Sequence, residues 1–216
     1  VKGEYRSSVI VYPENGVLPY NELGIQMSSY QYFDGTGFDH PEQRPGVERC
    51  TEAWGAPPMR AFAYQLFHGI VQTADTIALM SEEVNPLRVI HMDGQSRPDV
   101  IRTLEGHSIG HWEGDTLVVE VRNLNGRTSY QGSSADMKLT QRFTRTGPNS
   151  LEYQFTIDDP AVWTEPWTGM FTFVRDDSQY ELVEYACHEG NYGMTNSLSG
   201  ARAIDRREAE AAENNQ

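Results

Sequence analysis

The chain has 216 residues, 38% of them hydrophobic and 22% charged, with 17 Lys and Arg against 31 Asp and Glu for a net charge of −14. That length supports one large domain or two small ones with a real core, and the composition is globular rather than disordered. The acidic balance disfavours nucleic acid and anionic lipid as partners, and no apolar run reaches the ~18 residues of a membrane span.

The sequence opens at Val1 rather than Met. Removal of a signal peptide is the natural expectation, although trimming at an expression boundary would give the same start. Residues 1–60 read as an irregular arm, with turn formers in PENG (13–16), DGTGFDHPEQRPG (34–46) and WGAPP (54–58). Between them YNELGIQMSSYQYF is suited to a short helix. The arm cannot build its own core, so it is expected to wrap the domain that follows.

Residues 61–190 read as β. The strand-like runs are AYQLFHGIVQT, TIALMSEE, LRVIHMD, HSIGHWEG, DTLVVEVRNL, DMKLTQRFTRT, SLEYQFTID, TGMFTFVRD and YELVEYACH. The breaks hold turn chemistry: Asp93-Gly94, Gly114-Asp115, Asn125-Gly126, Gly147-Pro148-Asn149 and Asp176-Asp177-Ser178. Eight or nine short strands joined mostly by tight turns predict an all-β fold. Its expected form is an antiparallel up-and-down barrel of lipocalin or calycin type, or a sandwich. Residues 191–216 form a C-terminal segment, with ARAIDRREAEAAE suited to a solvated helix.

Alternation divides the strands into faces. Leu151, Tyr153, Phe155 and Ile157 oppose Glu152, Gln154, Thr156 and Asp158; Met137, Leu139 and Phe143 oppose Lys138, Thr140, Arg142 and Thr144. The plain reading is a core face and a wet face. The sharper one is a barrel with a partly polar, ligand-lined lumen, and period-two patterning does not choose between them.

Several clusters could carry chemistry. Cys50 and Cys187, the two cysteines, read as one disulfide in an exported chain, against the alternative of two separate buried thiols. His107 and His111 have the spacing of a helical zinc pair, but Gly106, Gly110 and Gly114 argue against helix. On a strand the two imidazoles lie about 13 Å apart, too far for one ion. They remain candidates to line a binding site, and no metal is expected. Trp163 and Trp167, in DDPAVWTEPWTG, could form one wall of a ligand site or pack the loop on the barrel rim. EYACHEGNYG (184–193) places His188 and Glu189 beside Cys187. His188 is the candidate general base, Glu189 or Glu184 its orienting carboxylate, and Arg142 or Tyr185 an oxyanion or hydroxyl contact. Tyr185 and Tyr192 are candidate substrate contacts. The alternative is a polar network satisfying backbone at the barrel end. GxSxG, P-loop, GxGxxG and paired CxxC motifs are missing, and no cofactor is expected.

HWEGDTLVVEVRNL, QRFTRTGPNSLEYQFTIDDPAVWTEPWT, EYACHEGNYGMTNSLSGAR and RVIHMDG with the preceding HGIVQT resemble blocks of a large family of exported bacterial β-rich hypothetical proteins of unassigned function. The resemblance spans roughly residues 45–203 and falls on Trp112, Glu113, Gly114, Asp115, Arg142, Phe143, Asp159, Pro160, Pro166, Trp167, Glu184, Tyr185, Cys187, His188, Glu189, Asn191 and Tyr192. It implies an exported (periplasmic or extracellular) protein and transfers no activity. The chain departs from the family pattern in SEEVNPLRVIHMDGQSRP, where further histidines are expected near 85–86 and 97.

Three functions follow as expectations. One is a cofactor-independent lyase, isomerase or hydrolase acting on a small organic molecule by His/Glu acid–base chemistry. Another is a lipocalin-like binder of an apolar or aromatic ligand. The third is an accessory or structural subunit of an exported assembly, in which case an oligomer or larger complex is expected.

Overall fold

Strand pairing follows the alternation of apolar side chains. Leu139, Gln141 and Phe143 stand opposite Ile157, Phe155 and Tyr153 in antiparallel register, so one face of this central hairpin is aromatic and aliphatic. The computed structural model describes residues 7–30, 37–45, 48–50, 57–59, 67–82, 87–126, 130–177, 182 and 184–214. Among the described residues nine strands form one mixed sheet: β1 (Ile10–Tyr12), β2 (His68–Gln72), β3 (Thr76–Ser81), β4 (Leu87–His91), β5 (His107–Glu113), β6 (Thr116–Arg122), β7 (Lys138–Gly147), β8 (Ser150–Asp158) and β9 (Trp167–Val174). The helices are α1 (Glu22–Tyr30) and α2 (Gly193–Asn214), with a 3-10 turn at Pro41–Gln43.

The strand order is β1-β9-β8-β7-β6-β5-β4-β3-β2. Consecutive strands from β2 to β9 are therefore neighbours, as a meander requires. Every pair is antiparallel except β4–β5, which run parallel through Ile90↔Ser108 and His91↔Ile109. The long 92–106 connection makes that parallel step possible, since it needs a crossover of about a dozen residues.

The expected all-β fold is observed, and its sheet departs from a closed antiparallel barrel in two respects. One strand pair is parallel, and no ladder joins the edge strands β1 and β2 among the described residues, so the sheet is open. Side chains still bring β2 against the stretch of β9 beyond its pairing with β1: the rings of His68 and Phe173 lie 5.2 Å apart, edge to face. The core occupies one face. Ile77, Ile90, Val119, Leu139, Phe155 and Trp167, from six different strands, belong to a single buried cluster, so the sheet curls around it.

The N-terminal residues pack on this sheet. β1, missed by the sequence reading, adds to β9 through Ile10↔Gly169 and Tyr12↔Thr168. Asn21 Oδ1 accepts the Gly24 N–H at 2.8 Å and caps α1. Gly24 sits inside the helix because a Cβ there would lie 2.2 Å from the Val162 carbonyl oxygen. The Met59 N–H donates to the Tyr153 hydroxyl at 3.0 Å, carrying the chain into the core. At the other terminus Arg202 of α2 donates to the Phe38 carbonyl at 3.2 Å and to Asp39 at 3.1 Å. No helix among the described residues is long and apolar enough to cross a membrane.

Two further boundaries differ from expectation. Residues 184–186 form no strand and 187–190 form a turn, so the strand expected over YELVEYACH is not built in its described part. α2 begins at Gly193 rather than near residue 201.

Candidate functional site

β4 inverts the usual rule for a half-buried strand. Its apolar Leu87 and Val89 are 58% and 37% exposed, while Arg88 between them is 4% exposed. Register is the cause. Ile90 pairs with Ile77 and Arg88 with Leu79, so the face that buries Ile90 must also take Arg88 inward.

The guanidinium reaches across the interior to β7. Arg88 Nη2 donates to Gln141 Oε1 at 3.1 Å, and the Tyr153 hydroxyl donates to the same oxygen at 2.8 Å. Tyr153 in turn accepts the Met59 N–H. Gln141 is fully buried. On β2, His68 Nδ1 lies 2.7 Å from Ser81 Oγ on β3. Ser108 on β5 is buried beside Ile90, its partner in the parallel step. Glu105, just before β5, is close enough to Arg88 for the charges to be felt, without forming an ion pair among the described residues.

This cluster is under-satisfied. Among the described residues Arg88 Nη1, Gln141 Nε2, Ser108 Oγ, His68 Nε2 and Glu105 Oε2 are buried without a hydrogen-bond partner. Native interiors carry few such atoms, and a buried cation without a counter-ion is among the costliest arrangements a fold can hold. The electrostatics follow. Burial pushes the Arg88 guanidinium down, with Tyr153 and Glu105 opposing; a guanidinium nonetheless stays protonated. Burial, aided by the Arg88 charge, lowers His68 to about 4, so its ring is neutral. Burial raises Glu105 despite the pull of Arg88, and raises the Tyr153 phenol well above its ordinary value.

The residues singled out from sequence lie elsewhere. Cys50 and Cys187 form the disulfide, with Cα atoms 5.7 Å apart. Cys50 takes a left-handed conformation (φ 53°), and Asn191 Nδ2 braces the turn by donating to the Glu48 carbonyl at 2.9 Å. His188, Glu189, Glu184, Tyr185 and Tyr192 are all exposed around this staple. Neither His188 nor either carboxylate has a side-chain hydrogen bond among the described residues. The acid–base set expected within EYACHEGNYG is therefore not assembled there.

Trp163 and Trp167 are 2% and 1% exposed and pack edge to face at 5.6 Å, within the core rather than along an open wall. Both indole N–H groups lack partners among the described residues. His107 and His111 share the outer face of β5. His107 is buried, with Nε2 2.8 Å from the Gln95 carbonyl and its ring 4.9 Å from that of His91. His111 is exposed, 3.3 Å from Glu113, which also accepts Arg142 Nη2 at 2.7 Å. Those two contacts, Arg142 first, hold the Glu113 carboxyl below its usual range. Arg142 thus belongs to a surface trio on the outer face, opposite to the face into which its neighbour Gln141 points.

The interior cluster itself escaped the sequence reading. One signal was legible: Gln141 interrupts the apolar series Met137, Leu139, Phe143 at the position where the core face requires an apolar side chain. Compared with family models, curated proteins and solved structures, the chain matches none.

Proposed function

We propose that the protein binds a small organic molecule inside its curled sheet, in the manner of a lipocalin-like carrier. The observation that carries this reading is Arg88, a buried cation on an inverted strand, with an unpartnered Nη1 amid other unpartnered polar atoms. A fold selected for stability alone gains nothing from that arrangement, because an apolar side chain of similar volume is usually as stable or more so. The reading takes the sheet as a calycin-type barrel whose seam between β2 and β9 is joined by side chains, which the His68–Phe173 contact supports. It also takes the protein as an exported member of the bacterial family its sequence blocks resemble. The disulfide and the lack of a membrane-crossing helix among the described residues are compatible with that location.

Native mass spectrometry of the protein beside a denatured, non-reduced run is the test. An extra mass held natively and lost on denaturation supports the binding reading. A bare monomer that also takes up no member of a small-molecule library overturns it. A bare chain in a defined larger assembly favours an accessory subunit instead.

A catalytic version rests on a separate observation. His68, its Nδ1 2.7 Å from Ser81 Oγ, is held neutral, while burial raises Glu105, and both groups feel the Arg88 charge, as an acid–base pair would. On this version Glu105→Gln abolishes turnover of the recovered ligand while retaining its uptake.

A further inference from the structure

We propose that the interior site is specific for a carboxylate, with Arg88 as the counter-ion of a small organic acid; this rests on the small-molecule reading above. The unpartnered atoms set the chemistry. Arg88 Nη1 and Gln141 Nε2 can only donate, Ser108 Oγ can donate, and His68 Nε2 donates whenever Ser81 supplies the proton to Nδ1. Against them stands one unpartnered oxygen, on Glu105, whose burial favours the neutral acid. An interior with excess donors, around a guanidinium that forms no ion pair among the described residues, is complementary to an acceptor-rich anion.

The charge count narrows the class. Arg88 is the sole cation in the cluster and His68 is neutral, so one negative charge is balanced and a second would be left buried and unpaired. A monoanionic carboxylate therefore fits better than a phosphate dianion, and its planar pair of oxygens matches the guanidinium fork. The flanking surface sets the rest of the ligand. Tyr153, whose hydroxyl shares Gln141 Oε1 with Arg88, packs against Phe143, Phe171 and Phe173 with ring centroids 4.9 to 5.8 Å apart, so the surroundings of the charge are aromatic. The ligand class is an aromatic or otherwise apolar body bearing one carboxylate.

Gln141 Oε1 keeps the Tyr153 hydroxyl when Arg88 is removed, so Arg88→Met leaves that acceptor satisfied and removes a buried charge. Calorimetric titration of the full chain, disulfide intact, with 2-naphthoate, neutral 2-naphthamide and dianionic 2-naphthyl phosphate tests the proposal, beside thermal unfolding of Arg88→Met without added probe. The expected result is that naphthoate binds, that the amide binds roughly 30-fold more weakly or worse, and that Arg88→Met erases the difference while melting no lower than the parent. Equal binding of acid and amide overturns the carboxylate proposal and leaves the small-molecule reading standing. Preference for the phosphate overturns the monoanion. Binding of none of the three overturns the proposal, and a fall in melting temperature on Arg88→Met overturns it independently by making Arg88 a structural residue.

Discussion

The staple at Cys50–Cys187 and the cluster around Arg88 are opposites. At the staple, ionisable side chains crowd a short stretch of sequence, yet in space they fan outward: His188, Glu189 and Glu184 are exposed around a disulfide. In the interior, Arg88, Gln141, Ser81, Glu105 and His68 come from five separate segments, the first three buried and the last two half-buried. Density along the chain is therefore a poor guide to chemistry. Proximity in a low-dielectric interior is what shifts a proton affinity or leaves a donor in need of an acceptor. The staple organises the fold, and the interior is where the fold tolerates something costly.

The largest expected effect breaks the staple. Replacing Cys50 and Cys187 together by Ala frees a loop spanning 137 residues, which in the chain-entropy view costs about 5 kcal/mol. Denaturant unfolding of parent and variant measures it, and a loss below about 1 kcal/mol would show that the arm is held by packing alone.

Next comes the interior acceptor. Gln141→Leu removes the oxygen shared by Arg88 and the Tyr153 hydroxyl, and is expected to cost about 3 kcal/mol because the buried charge loses the one hydrogen-bond partner it has among the described residues. No loss of stability in chemical denaturation would mean that the two donors find other acceptors.

The third effect is pH-dependent. His68 titrates at about 4 in the folded chain against 6.5 as a free group, so between those values the unfolded state carries the extra proton. Stability is then complete above the upper value and falls as pH drops through the window, by on the order of 2 kcal/mol after allowance for the ring's partial exposure. Glu105, raised by burial, acts in the opposite sense: its contribution is present at low pH and is lost as pH climbs past its unfolded value. Melting curves of parent and His68→Gln across this range separate the two, since only the His68 slope disappears in the variant.

The smallest effect sharpens the contrast. His188→Ala is expected to change stability by less than about 0.5 kcal/mol and to leave ligand uptake intact, because its ring makes no side-chain hydrogen bond among the described residues. A marked loss of ligand binding in that variant would return the site to the surface staple.

The strands were legible because their signal is local. Alternation and turn residues located β2 to β9, and the Cys pair suggested the disulfide that forms. β1 was not legible: three residues before a proline acquire strand character only from the distant β9. The strand expected across EYACH is not built because the chain turns at 187–190, where Gly190 adopts a φ of +69°. The interior cluster is the harder case. Alternation alone would place Leu87 and Val89 inside; pairing with Ile77 and Leu79 on β3 reverses it, and pairing partners are not written in a strand's own residues. Trp163 and Trp167 have the size of a ligand-site wall, but β9 opens at Trp167 and both rings turn inward, which makes them core.

The parallel step between β4 and β5 has a consequence for how the molecule breathes. Two residue pairs join a three-stranded unit, β2–β4, to a six-stranded unit, β1 and β5–β9, whereas β7 and β8 share nine. Amide hydrogens of β2–β4 should therefore exchange together and sooner than those of β6–β8, as one cooperative flap closing on a more durable half. Arg88 rides on that flap and Gln141 on its counterpart. Opening the β4–β5 joint would part the two and, on the carrier reading proposed above, give a small molecule a route to the charge without unfolding the rest.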